Sequence, residues 1–133
     1  HERILVVDDE PQVLKFNARM LESLGYQVTA RVNGIEALQL FEARSEEFDL
    51  LLTDMTMPGM SGDVLADKCI AIKPDLSVII ATGFSEKMTE EKAERMGIKA
   101  FLLKPVTKAQ MARTLRSALQ ETGKDVEENV NAN

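Results

Sequence analysis

Five short apolar runs punctuate the chain: "ILVV" at 4–7, "VTARV" at 28–32, "FDLLLT" at 48–53, "VIIAT" at 78–82 and "AFLLK" at 100–104. A stretch of helical period separates each from the next. This alternation leaves few folds open, because strands joined through helices lie parallel in one sheet. The runs at 4–7, 48–53 and 78–82 lack polar alternation, as expected of strands covered on both faces. The first helical stretch begins at Pro11, carries Val13, Leu14, Asn17, Met20, Leu21 and Leu24 along one face, and stops at Gly25. Asn33-Gly34 turns the chain into a second helix near 35–43. Further helices are expected at about 62–72, 86–96 and 107–121. The expected architecture is α/β, a doubly wound five-stranded parallel sheet with five helices. Residues 1–121 are read as one domain and the polar stretch 122–133, "TGKDVEENVNAN", as a flexible tail or linker.

Composition removes several function classes. A formal charge of −6 argues against a broad surface for nucleic-acid phosphates, so no direct nucleic-acid partner is expected. No apolar run approaches the ~20 residues needed to span a bilayer, so no direct membrane contact is expected either. The single cysteine, Cys69 in "VLADKCIAI", reads as a small buried hydrophobe, which fits a reducing cytoplasm. His1 reads as incidental, and its place where an initiator Met would stand points to a processed, tagged or excised piece, with a parent protein that could extend beyond it.

The chemistry lies where the strands stop. The first runs into Asp8, Asp9 and Glu10, the third into Asp54, the fourth into Thr82 and the fifth into Lys104. In a parallel sheet these ends share the carboxyl edge, where open α/β folds bind ligands. An Asp after a strand is usually a helix cap and a Lys is usually solvated, but four strands ending in acid, acid, hydroxyl and ammonium are improbable as filler. Carboxylates crowded together repel unless a hard cation sits among them, and Mg2+ keeps positions open for phosphate oxygens. A lysine beside it would serve the same phosphate. Zinc is disfavoured by the lack of His and Cys ligands, acyl transfer by the lack of a Ser-His pair, and nucleotide binding by the lack of GxxxxGK[ST] or GxGxxG. Met57-Pro58-Gly59 then turns the chain away from the sheet and leaves Asp54 open at its edge. Asp49, near the start of its strand, is far from the acid pair.

The segments "VVDDE", "DMTMPGMSG", "ATG" and "LLKP", in that order, resemble the receiver domain of two-component response regulators from Arg3 to about Gln120. The resemblance implies a flavodoxin-like sheet of order 2-1-3-4-5, with Asp54 as phosphoacceptor for a phosphoryl group from a histidine kinase or histidine phosphotransfer domain. It implies Mg2+, for which Mn2+ can substitute, held by Asp9, Asp54 and the Thr56 backbone carbonyl, and by Asp8 through water. Lys104, Thr82 and the Gly83 backbone would bind the phosphoryl group. Thr82 and Phe101 would form the switch, and the Lys104-Pro105 peptide would be cis. Phe16, at the edge of its helix's apolar arc, and Val13 would dock the partner. Two departures stand out: Phe101 replaces the family's frequent tyrosine, and Thr56 and Phe84 offer no amide or carboxylate to orient a hydrolytic water.

The isolated domain is expected to be no enzyme beyond Mg2+-dependent self-phosphorylation and autodephosphorylation, and to be a monomer or weak dimer. One rival is a magnesium-dependent phosphatase of the haloacid dehalogenase type, which needs a second Asp where this chain has Thr56. The other is a phosphorylation-independent scaffold, which would have lost part of the charged set. The parent could be a single-domain shuttle, a DNA-binding regulator or a hybrid histidine kinase; "ATGFS" and the short tail resemble the last.

Overall fold

The apolar runs at 4–7, 48–53 and 78–82 divide their side chains between two cores, as seen in a computed structural model that describes residues 2–83, 95 and 97–120. The elements are β1 (Arg3–Val7), α1 (Pro11–Ser23), β2 (Gln27–Arg31), α2 (Gly34–Arg44), β3 (Leu50–Asp54), α3 (Gly62–Ile72), β4 (Ser77–Thr82), β5 (Ala100–Leu103) and α4 (Lys108–Gln120). A short 3-10 turn, Ser45–Glu47, follows α2. The sheet order is β2-β1-β3-β4-β5 and every neighbouring pair is parallel. The described residues thus contain five strands and four α-helices. Apart from Arg95, the helix expected at 86–96 lies outside the described residues, as do the tail at 122–133 and Phe84.

Leu5, Val7, Leu51, Val78 and Ile80 face a core closed by Ala37 and Phe41 of α2 and Leu65, Ala66 and Cys69 of α3. The intervening Ile4, Val6, Leu50, Leu52 and Ile79 face the other core, against Leu14 and Leu21 of α1 and Met111 and Leu115 of α4. Successive residues of a strand point to opposite faces, so a strand buried on both must be apolar at every position. That is why β3 and β4 are buried throughout, whereas the edge strands β2 and β5 are only partly covered.

Local chemistry marks the boundaries. Pro11 opens α1 where its missing N–H costs nothing, and Gly25 at φ 97° accepts the left-handed turn that ends it. Asn33 caps α2: its side chain accepts from the Glu36 N–H at 2.8 Å and donates to the Glu36 carboxylate at 3.1 Å. β3 begins at Leu50 rather than Phe48, because Phe48 turns inward to stack on Phe41 with ring centroids 6.1 Å apart. Among the described residues no helix is long and apolar enough to cross a membrane.

Candidate functional site

β1 and β3 are adjacent and parallel, with Val7 opposite Thr53, so Asp8 and Asp54 leave the sheet side by side. One carboxylate oxygen from each of Asp8, Asp9 and Asp54 lies within 4.8 Å of the others. Asp8 and Asp54 are only 2% and 6% exposed, so their charges are largely removed from water. Lys104, just beyond β5, reaches in: its Nζ is 2.6 Å from Asp54 Oδ1 and 3.7 Å from Asp8 Oδ2. Its backbone N–H donates to the Thr82 carbonyl at 2.8 Å, which extends the β4–β5 ladder to the lysine itself. The Lys104-Pro105 peptide is cis.

The carboxylates are oriented by backbone. The Glu10 N–H donates to Asp8 Oδ1 at 3.0 Å and the Met55 N–H to Asp54 Oδ1 at 3.0 Å. Burial pushes the Asp8 carboxyl above its ordinary range, against the Glu10 hydrogen bond and the Lys104 charge, which pull it down. Among the described residues, one ammonium against three carboxylates leaves an excess of negative charge, and the all-oxygen donor set is that of a hard divalent cation. The three oxygens lie within 4.8 Å of one another, so small side-chain movements bring all three to one such ion. These residues therefore fit a magnesium ion.

Thr82 ends β4, is buried, and lies one residue beyond Ala81, the register partner of Asp54. Gly83 follows it, half-buried. Thr56 is exposed two residues past Asp54. Phe101 on β5 is half-buried and packs on the α2–α3 side of the sheet, in register with Ile80. Phe16 is 60% exposed, and with Val13 it lines a groove of about 490 Å³. Lys104, Pro105 and Val106 form the opposite wall, so the groove ends at the charged cluster. Asp49 is not part of it: at the other end of β3, it accepts from the Arg3 N–H at 2.8 Å and pairs with the Arg3 guanidinium. One residue of the site was not singled out in the sequence. Gly62 lies against the Asp54 backbone carbonyl, and its signal was a glycine at the first turn of a helix, where other residues propagate helix better.

Residues 4–116 match the response regulator receiver domain family. The chain is 31% identical over 118 residues to the sensor kinase CckA of Brucella abortus, covering 89% of this chain and 12% of that protein. It thus spans only a small part of that relative. It is similar to the structure of a response regulator receiver domain protein from Clostridium thermocellum, at 31% identity and a TM-score of 0.85, covering 90% of this chain and 95% of the other. It is also similar to the response regulator TrrA of Thermotoga maritima in complex with Mg(2+)-BeF, at 28% identity and a TM-score of 0.79, covering 89% and 99%.

Proposed function

This chain belongs to the response regulator receiver domain family of two-component signalling, and on that premise we propose that it accepts a phosphoryl group from a phosphohistidine onto Asp54. The observation that carries the reading is the pairing of a buried strand-end carboxylate with Lys104, inside a cluster that also holds Asp8 and Asp9. Phosphoryl transfer asks mainly for in-line positioning and charge neutralisation, and this cluster is built to provide both.

An oxygen of Asp54 attacks phosphorus as the P–N bond to the donor imidazole breaks, and the imidazole leaves with the bonding pair and takes a proton. The product is an acyl phosphate on Asp54. Met55 N–H and Lys104 both engage Asp54 Oδ1, and Lys104 opposes the charge on the transferring oxygens. Magnesium, or manganese with the same preference for oxygen, would be held by Asp9, Asp54, the Thr56 carbonyl and, through water, Asp8, and would neutralise the phosphoryl oxygens. The similarity to TrrA, whose structure was solved in complex with Mg(2+)-BeF, supports a magnesium reading. The Thr82 hydroxyl and Gly83 N–H would receive the phosphoryl oxygens. Movement of Thr82 would let Phe101 turn inward and alter the surface around β5 and α4.

The groove bounded by Phe16, Val13 and Pro105 would seat the donor, a histidine kinase or histidine phosphotransfer domain. The relation to CckA supports a hybrid kinase as parent. A cytoplasmic location fits such a partner. A scaffold that needs no phosphoryl group would have no use for the intact charged set, and Thr56 stands where a haloacid dehalogenase-type phosphatase needs its second Asp. The test is to label the protein with acetyl phosphate, reduce the acyl phosphate with borohydride and map the modified residue. Homoserine at position 54 supports the assignment; modification at Asp8, Asp9 or Asp49 instead would overturn it.

A further inference from the structure

The chain leaves β3 through Met55, loops out over 56–61 and returns at Gly62, where α3 begins. At the neck of this loop the Gly62 N–H donates to the Met55 carbonyl at 2.7 Å. A Cβ on residue 62 would stand 2.1 Å from the Asp54 carbonyl oxygen, 3.0 Å from its carbon and 3.1 Å from the Met55 Cα. All three are backbone atoms, so no change of rotamer relieves the contact. Gly62 is not among the glycines with positive φ, such as Gly59 at the loop's tip. The site therefore requires the space that Gly62 leaves, and not its conformational freedom.

The strand side of this contact is braced. The Asp54 carbonyl accepts from the Thr53 hydroxyl at 3.0 Å, Asp54 pairs in register with Ala81, and the Met55 N–H donates to the Ala81 carbonyl at 2.9 Å. Any added atom must open the loop instead. The opening falls just beyond that brace, at the Met55 carbonyl that accepts from Gly62, between the Met55 N–H that orients the Asp54 carboxylate and the next residue, Thr56.

From this geometry we infer that Gly62 is a positioning residue: its missing side chain closes the 55–62 loop and sets the Asp54 carboxylate and Thr56 carbonyl at the spacing that a divalent cation requires. The inference rests on the reading of Asp54 and Thr56 as ligands of that cation. The test compares wild type, Gly62→Ala and Gly25→Ala. The last introduces strain at a φ of 97° in the turn after α1, with nothing within 4 Å of the new Cβ, and serves as a destabilised control remote from the site. Calorimetric titration with Mg2+ alone is run in trimethylamine N-oxide to keep all three folded. Amide hydrogen exchange at residues 55 and 62 is followed in the metal-free proteins. Gly62→Ala should bind Mg2+ at least about tenfold more weakly, the scale of lost outer-shell support, and exchange faster at both amides, while Gly25→Ala keeps wild-type affinity. A smaller loss, an equal loss in Gly25→Ala, or unchanged exchange at the neck would overturn the inference. So would a Gly62→Ala chain that stays unfolded in the osmolyte, which would make the residue a requirement of the fold and not of the site. Failure of wild type itself to bind Mg2+ would instead refute the underlying metal reading.

Discussion

The Lys104 ammonium sits 2.6 Å from Asp54 Oδ1 and 3.7 Å from Asp8 Oδ2, a single cation shared between two buried carboxylates that two different strands deliver. This lysine has two opposed effects. It relieves carboxylate repulsion in the metal-free protein, and it competes electrostatically with any cation that enters.

Lys104→Met should therefore tighten Mg2+ binding several-fold while slowing labelling by acetyl phosphate by about tenfold or more. Calorimetry and intact-mass kinetics separate the two. Weaker Mg2+ binding in the variant would show that the lysine supports the metal site and does not compete with it.

The pH dependence of stability follows from Asp8. Burial raises its folded-state pKa above the ordinary 3.8, so between these values the folded state binds more protons than the unfolded one. The contribution of the neutral carboxyl is present below 3.8 and lost as pH rises through the folded value. In EDTA, Asp8→Asn should therefore be more stable than wild type at neutral pH, with the gap closing toward acid, as read from urea midpoints. A gap that widens on acidification would contradict the assignment.

Phe16 is too exposed for its loss to disturb the core, so Phe16→Ala should change stability by less than about 0.5 kcal/mol. Transfer from a cognate phosphohistidine partner should nonetheless slow, while labelling by acetyl phosphate is unchanged. Equal loss with both donors would remove the docking role.

Phe101 lies in register with Ile80 and packs toward the α2–α3 side while half-buried, a position from which its ring can move further in. Its ring resonances should shift strongly when beryllofluoride with Mg2+ saturates the protein, and less in Thr82→Ala. An unchanged ring environment in saturated wild type would rule out the switch.

Much of the fold was legible because β1, β3 and β4 are buried on both faces, and full burial writes itself as unbroken runs of Ile, Leu and Val. Edges were less legible. Phe48 reads as strand from its apolarity, yet it leaves the strand to stack on Phe41, a contact set by the preceding 3-10 turn. The meeting of Asp8, Asp54 and Lys104 could be read because parallel strand ends share one edge. The closeness of Gly62 to Asp54 could not, since it depends on how an eight-residue excursion returns to its origin. Cys69 was readable as core, and burial pushes its thiol up to about 12, so it behaves as a small hydrophobe.

The central claim is that Asp54 alone receives the phosphoryl group and needs a divalent cation to do so. Intact-mass spectrometry after incubation with acetyl phosphate tests it most directly, on wild type with Mg2+, wild type with EDTA, and Asp54→Asn with Mg2+. One phosphoryl adduct is expected in the first sample and none in the other two. An adduct on Asp54→Asn matching that of wild type, or undiminished labelling in EDTA, would contradict the claim.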